Sequence, residues 1–240
     1  MKTNINGKRF NQAFGGSSNQ RGWSLVEILV VTLIIAVLAT SSMALLRRGQ
    51  QGARSATCMS NVKQIGMALL MHAQDNHQKL INLQPPIDRD TGKRPEIWTV
   101  QLATEGYLWD GNGTLPCGTG VWSCPDCDFA SNTHGGYGVV EDTIFVYGEA
   151  RPQGVTEPGS LRLSKIANPE DTWLVGDACP AASTPNKSWY AIWSNPSRWG
   201  SHGPAPRHGG KVNVCMADGH VESLRISEIE ERKLTSDIVR

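Results

Sequence analysis

Proline is absent from the first 84 residues, although the chain of 240 residues contains 13 prolines. Because proline interrupts the interior of a helix, its absence permits one long helix over this part of the chain. From Pro85 onward the sequence is rich in Pro and Gly, with turn-forming stretches at residues 110–113 and 117–120. This distribution predicts a helical stem followed by a loop-rich β head.

Acidic residues are nearly absent from the same part. Residues 1–74 carry eight Lys or Arg against one acid, a net charge of +7, and since the whole chain carries +1, residues 75–240 carry −6. The acidic head argues against a nucleic-acid partner. Four basic residues and no acid precede the apolar stretch described below, which predicts a cytoplasmic leader and an exported remainder by the positive-inside rule. These are Lys2, Lys8, Arg9 and Arg21.

Charged residues are missing altogether from residues 28–46. A run of 19 such residues can cross a bilayer as one helix. It does not fit a secretory signal peptide, whose apolar core has about 7 to 15 residues and no acid, because this run is longer and Glu27 directly precedes it. A carboxylate at the edge of hydrocarbon costs roughly 3 kcal/mol or more, so Glu27 implies a function that a plain anchor does not have.

Signatures of common enzymes are also missing. The sequence holds no phosphate-binding glycine loop, no zinc-protease helix pair and no nucleophile elbow. We therefore predict a protein that is not an enzyme and that uses no cofactor. An exported enzyme or carbohydrate-handling protein would require a pocket that the sequence alone does not reveal.

Gly22, Trp23 and Glu27 stand directly before the apolar run in a fixed order. This arrangement resembles the processing site of type IV prepilins and type II secretion pseudopilins, with Trp23 at the position where that family usually has Phe. The resemblance implies that a prepilin peptidase cuts between Gly22 and Trp23 and methylates the new N-terminus. It also implies that Glu27 guides assembly with other pilin-like subunits, and that the chain is a single-pass protein in the lipid of a bacterial inner membrane.

Apolar residues continue beyond this run at every third or fourth position, which is the period of one helical face. They are Ala53, Ala56, Met59, Val62, Ile65, Leu69 and Ala73. The helix is therefore predicted to run from Leu25 to about Asn76 and to pack its second half on the head. The Lys-Gln-Ile-Gly sequence at residues 63–66 occurs together with His208 and, after nine intervening residues, Asp218-Gly219. This combination resembles a large pseudopilin-like subfamily common in planctomycetes.

His208 and Asp218 could suggest a catalytic or metal-binding pair. However, residues 211–217 are typical of a strand, Asp218-Gly219 of a two-residue hairpin turn, and residues 220–224 of the returning strand. At about 3.3 Å per residue, this strand separates His208 from Asp218 by more than about 20 Å. We therefore predict structural roles, with Gly219 at positive φ, Asp218 as turn former, and His208 as a loop residue that hydrogen-bonds or lines a surface site at the far end.

The cysteines leave several possibilities open. Cys117, Cys124, Cys127 and His134 could together hold zinc, but the spacing lacks a second paired half. The Cys-x-x-Cys motif at residues 124–127 lies in a Pro/Gly-rich loop and not at a helix start, which disfavours thioredoxin-like chemistry.

Disulfides are favoured over zinc because the head is predicted to be exported. We take Cys117, Cys124, Cys127 and Cys179 as disulfide candidates and predict no metal site, while Cys58 or Cys215 is a candidate for a free thiol. The connectivity stays open, because six cysteines allow 15 pairings.

These observations predict an α+β fold in which a long N-terminal helix, first transmembrane and then amphipathic, packs on an antiparallel β-sheet head of the pilin-like kind. The predicted segments are a leader (1–22), a transmembrane part (23–46), an amphipathic continuation (47–78) and an exported head (79–240). Strands are predicted at residues 144–147, 172–176 and 211–216, and a helix is possible at residues 97–102.

Two functions follow from this organisation. The first is a structural subunit of a type II secretion-like pseudopilus or type IV pilus-like filament. The alternative is a membrane-tethered binding module that uses the same processing route and never polymerises.

Overall fold

The computed structural model describes residues 22–85, 96–108, 120–127, 135–152, 154–236 and 238, without the side chains of Ala44 and Leu45. Apart from Gly22, the predicted leader lies outside these residues. The chain divides into two compact units, Met1–Leu46 and Arg47–Arg240. Helix α1, Leu25–Asp75, has 51 residues and contributes to both units.

In the first unit, α1 begins with a reciprocal cap. The backbone N–H of Ser24 donates to the Glu27 carboxylate at 3.0 Å, and the Ser24 hydroxyl accepts from the N–H of Val26 at 3.4 Å. These contacts satisfy amides that the first helical turn leaves without a backbone partner. Further along, the Thr32 and Thr40 hydroxyls each donate at 2.9 Å to the carbonyl three residues earlier. The polar groups of this apolar segment therefore find partners within the helix itself.

The described side chains of residues 25–46 are all exposed within this unit. Most of them are large and apolar, and Leu25 is 81% exposed. In the part of the chain that the structure describes, α1 is the one helix that is long and apolar enough to cross a membrane, by length and composition. The predicted long N-terminal helix and α+β fold are thus confirmed.

In the second unit, α1 buries one face. Cys58, Val62, Ile65 and Leu69 are fully buried and belong to the core of the head. Their spacing of three or four residues places them on one stripe of the helix, as the periodicity predicts. The predicted stripe extends too far toward the N-terminus, because Ala53 and Ala56 are exposed; packing starts at Cys58.

A six-stranded sheet faces this helix, in the order β3-β1-β2-β5-β6 with β4 paired to β2. The strands are β1 Tyr137–Glu141, β2 Trp173–Cys179, β3 Ala191–Trp193, β4 Gly203–Pro204, β5 Val212–Met216 and β6 Val221–Leu224. All pairs are antiparallel except β1 with β3, where Val139 lies opposite Ala191 in a parallel register. The sheet is therefore mixed, and the expectation of a purely antiparallel sheet needs this correction.

Three of the four predicted strands are present, as β2, β5 and the returning strand β6. Residues 144–147 form only isolated bridges, Glu141 with Phe145 and Gln84 with Tyr147, so the strand predicted there is wrong. The short helix α2, Trp98–Thr104, covers most of the helical stretch expected near residue 97, and α3 is Ile226–Glu231.

The hairpin of β5 and β6 has a three-residue loop, not the predicted two-residue turn. The Met216 N–H donates to the His220 carbonyl at 2.9 Å, which leaves Ala217, Asp218 and Gly219 as the loop. Gly219 has the predicted positive φ, +91°, and the Asp218 carboxylate accepts from the His220 N–H at 2.9 Å. A glycine at positive φ in the last position is typical of three-residue hairpin loops.

Candidate functional site

Four side chains with metal-binding or acid–base chemistry meet inside the head. They are Cys58, Cys124, Asp177 and His208, all buried, and their ligand atoms lie within 4.8 Å of one another. Four separate elements supply them: α1, the segment after the 3-10 turn Gly120–Trp122, strand β2 and the turn before β5. The site therefore exists only when α1 is packed on the head.

Local structure explains how two of these residues reach the site. Cys58 is the first fully buried residue on the packed stripe of α1. His208 lies in a tight turn in which its N–H donates to the Lys211 carbonyl at 3.2 Å. Gly209 and Gly210 both have positive φ, which lets the chain reverse directly after His208.

Direct polar contacts link the four side chains. The Cys58 thiol donates to Asp177 Oδ1 at 3.2 Å. His208 Nε2 lies 3.5 Å from Cys124 Sγ and 3.3 Å from Asp177 Oδ2. His208 thus stands between a carboxylate and a thiol, both of which can accept a proton from its ring.

Asp177 is fully buried and is held as an anion. Burial by itself would raise its pKa, but hydrogen bonding to His208 and the charge of Arg207 outweigh burial, and the pKa lies below its ordinary value. Its Oδ1 pairs with Arg207 at 3.2 Å, and its Oδ2 accepts from the Asn213 N–H at 2.9 Å.

Arg207 is a buried cation that the backbone holds in place. Its guanidinium donates to Asp177 and to four carbonyls, those of Gly136, Ala178, Pro185 and Lys187. Although burial opposes its charge, Asp177 and the neighbouring thiols raise its pKa, so Arg207 stays protonated.

The 3.5 Å contact between Cys124 Sγ and His208 Nε2 shifts the pKa values of both groups in the direction of a thiolate and an imidazolium. A hydrogen bond from Cys58 and a second one from His208 outweigh burial and lower the pKa of Cys124 to about 6. Burial lowers the pKa of His208, but its bonds to Asp177 and Cys124 dominate and raise it to about 10. Burial, together with the Cys124 bond, raises the pKa of Cys58, which therefore stays a thiol.

The other ring nitrogen of His208 faces a second carboxylate. Its Nδ1 lies 3.0 Å from Asp126 Oδ2, close enough for an ion pair, although the direction falls short of a hydrogen bond. Asp126 in turn pairs with Arg54 of α1 at 3.2 Å. His208 is thus oriented from both sides.

A polar cleft of about 350 Å³ adjoins the site. Arg54, Asp126, Arg207 and His208 are among its lining residues, whereas Cys124 does not line it and is fully buried. An activated thiol beside a histidine could serve as a nucleophile. Because Cys124 does not line the cleft, a substrate bound there would not meet the Cys124 sulfur.

The two residues of the C-terminal signature lie in different environments. His208 contacts Asp126 and Asp177, whereas Asp218 pairs with His220, its Oδ1 lying 2.6 Å from Nδ1. His208 hydrogen-bonds and lines a cleft, as its predicted role requires, but it is more buried than a surface loop residue.

The described cysteines do not form the disulfides that the sequence analysis predicts. No disulfide joins two of the five cysteines that the structure describes, and Cys124 and Cys179 carry free thiols. The sulfurs have other neighbours: Cys124 Sγ lies within 4.8 Å of Cys58 Sγ and 3.5 Å from His208 Nε2, and Cys179 donates to the carbonyl of Gly203 at 3.5 Å. Cys127 is buried in the core of the head.

The zinc set considered from spacing is not assembled by the described residues. Cys117 and His134 lie outside them, and Cys124 turns toward the stem. Sequence reasoning missed Cys58 and Asp177 as partners. The one available signal was an aspartate within an otherwise apolar strand, which requires a buried partner.

Gly22 and Trp23 are exposed and directly precede α1, and Glu27 lies in its first turn. No protein-family model, no curated protein and no solved structure matches this chain.

Proposed function

We propose that the protein is a structural, pilin-like subunit of a type II secretion-like or type IV pilus-like assembly. The first part of α1 would anchor it in a bacterial inner membrane, with the leader cytoplasmic and the head exported. The observation that carries this proposal is the capped, apolar and exposed start of α1, which continues in sequence into a helix that forms part of the head core.

The exposed apolar surface of residues 25–46 must be shielded from water. Burying a large apolar side chain is worth about 1.5–3 kcal/mol, and this segment exposes more than ten such side chains. Lipid covers the surface of a single subunit, and neighbouring helices cover it in a bundle. Both surroundings are compatible with the internal hydrogen bonds of Thr32 and Thr40.

Glu27 supports assembly over simple anchoring. Cleavage after Gly22 would create an amine at Trp23, so the mature helix would start with a cation and carry an anion four residues later. Each charge is costly at the membrane edge unless it is paired. A subunit could pair them internally, but an amine that meets the carboxylate of a neighbour would set the register between subunits.

Mass spectrometry of the native N-terminus tests the processing step. We expect the mature chain to begin at Trp23 and to carry an N-methyl group. Membrane-extracted protein that retains Met1 would contradict the proposal.

The role of Glu27 is tested by Glu27→Leu, with Thr32→Leu as a control that removes a polar group from the same segment. Both variants should be cleaved, but Glu27→Leu should yield shorter ladders when subunits are crosslinked through the stem in cells that carry the assembly machinery. Equal ladders for Glu27→Leu and the unaltered protein would favour the tethered, non-polymerising module.

A further inference from the structure

We infer that Cys58, Cys124, Asp177 and His208 bind one zinc-class divalent transition-metal ion, which ties α1 to the sheet of the head. This goes beyond the proposed assembly function, because the ion would act inside a single subunit.

The spacing of the four groups fits one tetrahedral ion. Bonds of about 2.0–2.3 Å from zinc to N, O and S give ligand-to-ligand edges of roughly 3.3–3.8 Å. The Cys58–Asp177 contact is 3.2 Å, His208–Asp177 is 3.3 Å and His208–Cys124 is 3.5 Å. The remaining pairs lie within 4.8 Å, so a shift of about 1 Å or less closes the set.

The donor types select the metal. Two thiolates and an imidazole favour zinc and related transition ions over calcium and magnesium, which prefer oxygen ligands. All four residues are fully or almost fully buried, and among the residues that the structure describes no fifth ligand belongs to the group. A closed set of four protein ligands is typical of a structural zinc site.

Charge balance also favours a divalent ion. Arg207 already neutralises Asp177, with both side chains fully buried. A divalent ion together with the thiolates of Cys58 and Cys124 adds no net charge to this interior. When the ion binds, both cysteines coordinate as thiolates and His208 as a neutral imidazole, and the protons that they held pass to solvent.

Asp177 keeps enough hydrogen bonds to remain oriented. Its Oδ1 accepts from Cys58 and Arg207, while its Oδ2 accepts from the Asn213 N–H and faces His208. Loss of the protons on Cys58 and His208 leaves each oxygen with one donor and one unused lone pair. Either oxygen can then bind the ion.

His208 has the outer partner that metal-binding histidines usually have. Its Nε2 faces the four-residue site, and its Nδ1 faces the Asp126 carboxylate at 3.0 Å. Such carboxylate–histidine–metal arrangements fix the ring and raise its basicity. Asp126 is therefore a positioning residue and not a ligand.

Two other states of the site compete with the metal. The sulfurs of Cys58 and Cys124 lie within 4.8 Å of each other, so an oxidant that takes up two electrons and two protons could join them in a disulfide. The four groups could also remain a hydrogen-bonded network without an ion.

The test uses the full chain, extracted in detergent with an affinity tag that contains no histidine. After dialysis against metal-free buffer, elemental analysis should find one zinc ion per chain. Replacement of zinc by Co²⁺ should give thiolate charge-transfer absorption and the intense visible bands of a tetrahedral site.

Variants locate the ion. Cys58→Ser and Cys124→Ser should lose it, whereas Cys179→Ser, which removes a buried thiol outside the site, should retain one ion per chain. Asp126→Asn should weaken zinc binding about 10–100-fold without changing the cobalt spectrum.

Two results overturn the inference. One is a chain without metal whose thiols all react with an alkylating reagent after unfolding; the other is a Cys58–Cys124 disulfide in a non-reducing digest. If the serine variants fail to fold, the metal content and cobalt spectrum of the unaltered chain decide the question.

Discussion

Residues 25–46 and residues 47–75 belong to one helix, but their side chains have different surroundings. In the first segment every described side chain is exposed and most of them are apolar. In the second, a stripe from Cys58 to Ala73 is buried against the head, and the opposite side is polar or exposed. The same backbone therefore requires an apolar environment in one segment and a protein surface in the other.

This contrast shows that helix formation and packing are separate requirements. Proline-free sequence, an N-terminal cap and internal hydroxyl bonds all favour helix in the first segment. Packing of the second segment also needs a periodic apolar stripe and close contact with the sheet, as at Gly66 and Cys215. Paired substitutions at packed and unpacked positions test the distinction.

The largest contrast is expected for isoleucines. Ile65 is fully buried, whereas Ile35 is 59% exposed. Ile65→Ala should lower the free energy of unfolding of the head by about 2–5 kcal/mol, because it removes core contacts and leaves a cavity. Ile35→Ala should leave that free energy unchanged. Urea unfolding of the full chain in detergent, followed by near-UV circular dichroism, measures both, and equal losses would contradict the contrast.

Alanine substitutions at two glycines of α1, Gly66 and Gly52, give a second comparison of packed and unpacked positions. A Cβ on Gly66 would overlap Cys215 Sγ and lie 3.1 Å from Cys215 Cβ, whereas a Cβ on Gly52 would meet no atom within 4 Å. Gly66→Ala should destabilise the head by about 1–3 kcal/mol through overpacking. Gly52→Ala should raise helix stability by up to about 1 kcal/mol.

The overlap at Gly66 has its own check. Adding Cys215→Ala to Gly66→Ala should recover part of the lost stability, because the smaller side chain makes room. A double variant that is as unstable as the sum of the two single variants would argue that Gly66 has another role.

The hairpin loop beside α1 gives a smaller effect. Gly219→Val should destabilise the head by more than about 1 kcal/mol, because valine resists positive φ and its Cβ would approach Leu70 to 3.3 Å. Gly210→Val is the control, since Gly210 has a similar φ of +81° but no atom near its Cβ position. Chemical denaturation should show a larger loss at Gly219; equal losses would mean that contact with the helix adds nothing.

The smallest effect concerns Glu141, a buried glutamate of strand β1. Burial and the neighbouring Asp142 raise the pKa of Glu141 to about 7, although Arg198 opposes the shift. The folded head therefore disfavours the carboxylate, and stability falls as pH rises from about 4.5 to about 7.

Glu141→Gln should remove this loss. At pH 8 we expect the variant to be more stable than the unaltered chain by about 1 kcal/mol, after allowance for screening by solvent, and near pH 5 the difference should shrink. Thermal unfolding across this range measures it. A constant difference at every pH would show that Glu141 does not titrate.

The sequence specified the stem better than the head, for physical reasons. Helical hydrogen bonds and periodicity are local, so the apolar run and the stripe through Val62 and Ile65 predicted α1 correctly. Strand β1 was missed because Gly138 weakens its pattern, although that glycine allows close approach to Ala178 and Ala191. Residues 144–147 have the apolar composition of a strand. Their apolar side chains are largely buried in the core, but their backbone forms only isolated bridges and no continuous pairing with a neighbouring strand.

The site could be predicted only in part. His208 and Cys124 were recognised as candidates, each with the wrong partner, because sequence spacing pairs them with near neighbours. Their actual neighbours, Cys58 and Asp177, are separated from each other by 119 positions. Such pairings depend on how α1 packs on the sheet, which local patterns do not encode.

The contacts that seat α1 on the head have a mechanical consequence. Lys63 Nζ donates to the Gly219 carbonyl, and the Asn61 side chain donates to the Ser123 carbonyl at 3.0 Å. At Gly66 the helix lies so close to Cys215 that there is no room for a Cβ. A slide by one helical turn, about 5.4 Å, would break both bonds and drive larger side chains into the sheet. Traction or torque applied to this part of the helix is therefore transmitted to the hairpin and the sheet together.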